Sequence, residues 1–170
     1  LSGIKTKIMS RRLPVYILID TSGSMRGEPI ESVKVGLSDM IASLRLDPYA
    51  LETVCVSIIT FDSKVEQILP LTELENLQLP DIHVPDSGAT FLGAALNLMC
   101  QRYDEEVNMG SREQKGDWMP IMFVLTDGKP ADLMAYDEAN SFASFSNWDY
   151  IPNANAEYEV VAPGVSVDST

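Results

Sequence analysis

Leu13-Pro14-Val15-Tyr16-Ile17-Leu18-Ile19-Asp20-Thr21-Ser22-Gly23-Ser24 holds the strongest structural signal in the chain. Residues 13–19 are almost wholly apolar, as in a strand buried on both faces, and the run stops at Asp20. Residues 21–29 are rich in Ser and Gly and read as a loop. Beyond them the apolar residues fall at Ile30, Val33, Leu37, Ile41 and Leu44, steps of three and four that draw one face of a helix. Pro29 suits the first turn of that helix, where a missing N–H does no harm, and Asp47-Pro48 ends it.

The same pattern recurs further along. Residues 54–61 are β-branched and apolar, a second buried strand. Residues 64–69 read as a shorter strand nearer an edge. Residues 71–84, bracketed by Pro70 and Pro85 and containing Pro80, read mostly as loop. A second helix is expected from about Thr90, with Leu92, Ala95, Leu96, Met99 and Tyr103 as its apolar stripe. Residues 107–115 form a polar loop, and residues 121–125 a third buried strand that stops at Thr126-Asp127. Strands alternating with helices give the α/β class, and fully apolar strands give a mainly parallel sheet covered by helices. In such sheets function gathers at the carboxyl ends of the strands.

Composition sets the outer bounds. A chain of 170 residues is one domain by length, and 45% hydrophobic with 22% charged residues is a globular mix. Twelve basic residues against 25 acidic give a formal charge of -13, which repels phosphate backbones and anionic membranes and argues against nucleic acid or membrane as partner. Two cysteines, Cys55 and Cys100, make no disulfide framework and read as core side chains of a protein in a reducing, cytoplasmic compartment. No run approaches the ~18 apolar residues of a membrane span, and no apolar signal core follows Lys5 and Lys7. The first residue is Leu1, as expected where a preceding segment has been lost. Arg11 and Arg12 read as solvated, and Trp118, two residues before Pro120, as packed under a loop.

Two of the buried strands end in aspartate, and a Gly-Ala-Thr turn at residues 88–90 precedes the second helix. Asp20, Ser22, Ser24, Thr90 and Asp127 are thereby brought to one edge of the sheet, and all five carry oxygen. Hard divalent cations prefer such ligands. Two carboxylates supply charge, and three hydroxyls complete a shell without adding more. Alternate spacing in Asp20-x-Ser22-x-Ser24 lets a tight loop point three side chains one way, with Gly23, and likewise Gly88 and Gly128, supplying backbone freedom. Any one of these residues is an ordinary helix cap; five of them on three loops favour a metal site.

Asp20-Thr21-Ser22-Gly23-Ser24, with Thr90 and Thr126-Asp127-Gly128, resembles the metal-ion-dependent adhesion site of von Willebrand factor type A domains, and the resemblance covers residues 11–133. It implies a Rossmann-like α/β fold. It also implies hydroxyl ligation by Ser22, Ser24 and Thr90, with Asp20 and Asp127 binding directly or through water. The implied cofactor is Mg²⁺, with Mn²⁺ or Ca²⁺ as substitutes, and the implied partner is a protein whose Asp or Glu carboxylate completes the coordination. The stretches at residues 11–16, 27–30, 47–53, 59–62 and Glu113-Gln114-Lys115-Gly116-Asp117-Trp118 further resemble bacterial tellurite-resistance proteins of the TerY type, cytoplasmic members associated with stress response.

From about Ala135 the character changes. Residues 136–170 hold no Lys or Arg and six carboxylates. Residues 143–147, 160–165 and 169–170 resemble a subtilisin-type serine protease just upstream of its nucleophile. The catalytic serine motif is missing and the sole histidine, His83, lacks a protease context, so proteolysis is rejected. The chain thus divides into a domain at residues 1–134, its C-terminal part missing or replaced, and an acidic tail at 135–170. The run at residues 158–162 is expected to pair with the outer edge of the third buried strand, with Pro163 as a stop.

The leading expectation for function is a non-enzymatic, metal-dependent protein-binding module in a bacterial tellurite or stress-response system. A metal-dependent phosphoester hydrolase and a fusion fragment with a vacant site are the alternatives.

Overall fold

The structure is a computed structural model that describes residues 10–86, 88–128 and 131–132 in full, together with the backbone of residues 148–152 and 159–163. The elements are β1 (Leu13–Asp20), α1 (Glu28–Leu46), α2 (Pro48–Thr53), β2 (Val54–Phe61), β3 (Val65–Glu73), α3 (Leu92–Glu106), β4 (Ile121–Leu125), β5 (Trp148–Pro152) and β6 (Glu159–Pro163). They build one sheet in the order β3-β2-β1-β4-β6-β5. The three apolar strands run parallel, β1 between β2 and β4. β3 joins β2 antiparallel. β6 joins the outer edge of β4 antiparallel, Met122 facing Val161, the pairing expected for residues 158–162. β5, which no sequence signal announced, closes that side antiparallel to β6.

The apolar character of β1 follows from its two covered faces. Val15, Ile17 and Ile19 join Ile30, Val33, Leu37 and Ile41 of α1 in one core. Tyr16 and Leu18 join Leu92, Ala95, Leu96 and Met99 of α3, with Met122 and Val124 of β4, in the other. Side chains alternate faces along a strand, so a strand in the middle layer needs both sets apolar. Burying each of the four α1 side chains contributes about 1.5–3 kcal/mol. Between α1 and the β1–β4 face, a cleft of about 250 Å³ lined by Ile17, Val33, Gly36, Met40, Phe123 and Leu125 stays open among the described residues.

Asp47 ends α1, as expected, but it also starts α2: its side chain accepts from the N–H groups of Tyr49 and Ala50 at 2.8 and 3.0 Å, and Pro48 takes the first turn. α3 begins at Leu92, two residues beyond Thr90. β3 runs through Pro70 to Glu73, where loop was expected. The register against β2 slips between Val56 and Ile58, so Pro70 sits in a bulge of an edge strand, where its missing N–H leaves no ladder bond unmade. The neighbouring Leu71 N–H turns to Glu106 Oε1 at 3.4 Å. Glu106 also accepts from the Tyr16 hydroxyl at 3.0 Å and from Gln67 Nε2 at 3.0 Å, tying β1, β3 and the end of α3 together. Burial, with the Glu106 charge adding to it, pushes the Tyr16 phenol well up.

Two surface expectations fail at the other end of β1. Arg12 is engaged rather than solvated, with Nη2 2.6 Å from Asp117 Oδ2 and 2.9 Å from the Glu106 carbonyl. Arg11 donates to the carbonyls of Gly116 and Asp117 at 2.7 and 3.2 Å. Trp118 is 45% exposed, and the Arg11 guanidinium lies over its ring at 3.8 Å instead of a loop. The end of α3 and residues 116–117 present carbonyls and a carboxylate that need donors, so both arginines before β1 are drawn in. Cys55 is buried in β2, while Cys100 on α3 is only partly so.

Candidate metal centre

All three parallel strands deliver an aspartate to the same edge of the sheet: Asp20 ends β1, Asp62 follows β2 and Asp127 follows β4 by one residue. After Asp20 the chain makes a single 3₁₀ turn at Gly23–Met25, anchored by the wholly buried Met25. Ser22 N–H donates to Asp20 Oδ1 at 2.8 Å, which folds the Asp-x-Ser segment back on itself. The Ser22 and Ser24 hydroxyls meet at 3.1 Å, and Ser24 donates to Asp127 Oδ1 at 2.9 Å. Thr126 donates to Asp20 Oδ2 at 2.7 Å, and Gly128 N–H donates to the Thr126 hydroxyl at 3.2 Å.

Four of the five expected residues, Asp20, Ser22, Ser24 and Asp127, therefore lie in one hydrogen-bonded set. Thr90 reaches the same edge by a different route. The Ala131 N–H donates to the Thr90 carbonyl at 2.8 Å, and a Cβ added to Gly128 would lie 4.0 Å from Thr90 Oγ1. Its hydroxyl joins none of the hydrogen bonds just described. The set grades from buried to exposed: Asp20 and Ser22 are buried, Asp127 and Thr90 are intermediate, and Ser24 is exposed.

The glycines act otherwise than expected. Positive φ occurs at Gly27 and Gly110, not at Gly23, Gly88 or Gly128. What Gly88 provides is space, since a Cβ there would sit 3.2 Å from both the Asp62 Cβ and the Ser63 Oγ. Gly27, at φ 84°, turns the chain into α1, whose first turn carries Glu28 and Glu31.

Three residues that hold this edge together were missed as site residues. Asp62 accepts from the Thr21 hydroxyl at 2.8 Å through its side chain and from Phe91 N–H at 3.1 Å through its carbonyl, joining the first loop to the loop of Thr90. Asp132 accepts from the N–H groups of Gly93 and Ala94 at 3.0 and 2.8 Å, capping α3 from a distance where Phe91 supplies no cap. Thr126 supports Asp20 from below. The signal for Asp62 was present: it closes an apolar strand just as Asp20 and Asp127 do. Asp132 had none, because a cap borrowed from another loop leaves no local spacing.

An oxygen-only donor set with a buried carboxylate at its base and hydroxyls at its rim fits a hard divalent cation. Among the described residues no three His, Cys, Asp or Glu side chains group to hold a metal.

The von Willebrand factor type A domain family profile matches residues 15–153. The chain belongs to the von Willebrand factor type A family. This member is 31% identical to matrilin-1 of Bos taurus over 127 residues, covering 72% of the chain and 23% of that protein. To matrilin-3 of Gallus gallus it is 30% identical over 141 residues, covering 80% of the chain and 30% of that protein. This von Willebrand factor A chain thus spans about a quarter to a third of the length of these curated relatives. Among solved structures, the open conformation of the pilus adhesin SpaC from Lactobacillus rhamnosus GG shares its fold, with a TM-score of 0.54 at 19% identity, covering 71% of the chain and 15% of the adhesin. No helix among the described residues is long and apolar enough to cross a membrane.

Proposed function

We propose that this von Willebrand factor A domain is a metal-dependent protein-binding module, with Asp20, Ser22, Ser24, Thr90 and Asp127 as the residues that hold a divalent cation, Mg²⁺ first among the candidates. The observation that supports it best is the chain of contacts from Ser22 to Ser24 to Asp127, which brings side chains 103 residues apart in sequence into hydrogen-bond range. The bound ion would supply positive charge at the exposed rim, where an Asp or Glu of a partner protein is held. In a chain of net charge -13, such local charge is what lets an acidic side chain approach this edge.

The residues have separable tasks. Asp20, fixed by Ser22 N–H and the Thr126 hydroxyl, supplies a buried negative charge. Ser22 and Ser24 supply neutral oxygens, so the electrophilic character of the ion is not quenched. Asp62 and Asp132 act only through the loops they tether. A hydrolytic role is disfavoured because residues 21–27 of the first loop carry no His, Glu or Lys that could act as a general base beside Asp20. The TerY-like stretches support a place in a bacterial tellurite or stress-response system, and two free cysteines are in keeping with a cytoplasmic protein. The C-terminal strands take a supporting part: β6 pairs with β4, the strand that leads to Asp127, and the family profile runs to residue 153.

Calorimetric titration with Mg²⁺ tests the reading. Saturable binding that is lost in Asp127→Ala and Ser24→Ala supports it. Absence of a saturable signal, or an unchanged one in both variants, overturns it. Turnover of p-nitrophenyl phosphate that depends on Mg²⁺ and on Asp127 would overturn it in favour of hydrolysis.

A further inference from the structure

The pole of the sheet opposite the metal loops carries features that the proposed function leaves unused. Residues 107–118 fold into a tight hairpin: Gly110 bridges Lys115, Ser111 N–H donates to the Gln114 carbonyl at 2.8 Å, and Asp117 N–H donates to the Asn108 carbonyl at 2.7 Å. Gly110 is at φ 81°, and a Cβ there or on Gly116 would fall within 2.4 Å of backbone, so both glycines are required by the close approach of the two arms. The hairpin is locked to the start of β1 by the Arg12–Asp117 ion pair, by Arg11 to the Gly116 and Asp117 carbonyls, and by Trp118 N–H to the Arg12 carbonyl at 2.8 Å.

This rigid element exposes what a stable fold would ordinarily cover. Of the seven exposed large hydrophobic residues among those described, Met109, Trp118 and Met119 lie within eleven positions, exposed by 60, 45 and 59%. The Trp118 ring is held in place by the guanidinium of Arg11 rather than by a core. The charge here also runs against the rest of the chain. Arg11, Arg12, Arg112 and Lys115 face only Glu113 and Asp117 within residues 11–12 and 107–118, and the Asp117 carboxylate is consumed by Arg12. On the α3 side, Glu105 is paired with Arg102 at 2.6 Å and the Glu106 carboxylate is engaged by Tyr16 and Gln67, while Glu73 of β3 adds its charge near Arg12. A preorganised aromatic and methionine platform with a cationic rim, on a molecule of net charge -13, matches the composition of interface cores.

We infer that the 107–118 hairpin with Arg11 and Trp118 is a second docking surface, taking an acidic segment of another protein that inserts an apolar side chain beside Trp118. Charge complementarity selects this occupant: Arg112 and Lys115 are exposed and attract the carboxylates of a short acidic segment at close range. The eight residues of β1 separate this pole from Asp20 by roughly 25 Å, so both ends can be occupied at once and the domain bridges two proteins. The inference does not depend on a bound metal.

A random peptide library displayed on phage, selected on the whole chain in EDTA and counter-selected on Trp118→Ala, tests this. Enriched peptides should combine net negative charge with an aromatic or aliphatic anchor. Their synthetic forms should bind at least tenfold more weakly to Trp118→Ala and to Arg112→Glu/Lys115→Glu, with Asp127→Ala binding as the parent does. Both test sites are exposed, and circular dichroism of each variant against the parent checks that it folds. Enrichment of basic peptides, no enrichment over Trp118→Ala, or concentration-dependent dimerisation abolished by Trp118→Ala would overturn the proposal. Because the selection is run without divalent cations, its failure and that of the metal site are read separately.

Discussion

The Thr126 hydroxyl donates to Asp20 Oδ2 at 2.7 Å, across 106 residues of sequence, and both groups are buried. It joins the carboxyl ends of β1 and β4, the strands that present Asp20 and Asp127. Replacing Thr126 by Val keeps the shape and leaves a buried carboxylate oxygen without its donor. Loss of such a partner costs about 1–3 kcal/mol. Denaturant unfolding of Thr126→Val should show that loss, and Mg²⁺ affinity should fall several-fold as Asp20 turns away. Thr126→Ser should restore both. Equal stability of Val and Ser variants would refute the role given to this bond.

The Asp117 carboxyl has opposing influences. Burial pushes it up, but hydrogen bonds from Arg12 and from Asn108 N–H outweigh burial and hold it below the ordinary aspartate range. A carboxyl depressed in the folded state stabilises the fold above its unfolded pKa and loses that contribution as pH falls through the folded value. Urea midpoints should therefore decline in the acid range below the usual aspartate pKa. Asp117→Asn should be less stable at neutral pH, and the gap to the parent should close as the medium is acidified. A gap that is constant with pH would remove Asp117 as the source.

The arrangement of β1, β2, β4 and α1 was legible in the sequence because each carries its own pattern in its own residues. Ile30, Val33, Leu37 and Ile41 repeat at helical spacing, and β1 is apolar on both faces because α1 and α3 cover both. What escaped detection depends on partners distant in sequence. Pro70 reads as a strand breaker until Glu106 is seen to accept the Leu71 N–H beside it. The Asp47-Pro48 pair reads as an end, yet the same residues begin α2, since one aspartate can both follow one helix and cap the next. The five proposed metal residues stood out because strand ends converge by topology. Asp132 did not, since its cap on Gly93 and Ala94 spans nearly forty residues.

Both thiols should be inert in the folded protein. Burial pushes Cys55 up to about 11, with Arg12 partly opposing, and burial together with Asp104 pushes Cys100 up to about 11 as well. The thiolate is the reactive form, so at neutral pH little of either is available. Iodoacetamide labelling followed by mass spectrometry should leave Cys55 unmodified until the protein is denatured. Cys100, which is partly exposed, should label slowly and ahead of Cys55. Rapid native labelling of Cys55 would show that β2 opens far more readily than its burial allows.

Glu106 collects three donors from two elements: the Tyr16 hydroxyl of β1, and Gln67 Nε2 and the Leu71 N–H of β3. Its own place is the last residue of α3, so the network sets how that helix lies on the sheet. Glu106→Gln removes the charge and puts an amide N–H₂ where one carboxylate oxygen accepted, so the Tyr16 hydroxyl loses a charged acceptor and its proton is left without a partner. Tyr16→Phe removes a single donor and leaves the rest satisfied. The asymmetry of hydrogen-bond deletion makes Glu106→Gln the costlier change, about 1–3 kcal/mol against about 1 for Tyr16→Phe. The double variant should cost less than the sum, because the hydroxyl lost in one is the group stranded in the other. Strict additivity in urea unfolding would mean that Tyr16 and Glu106 do not act on each other, and that α3 is placed by its apolar face alone.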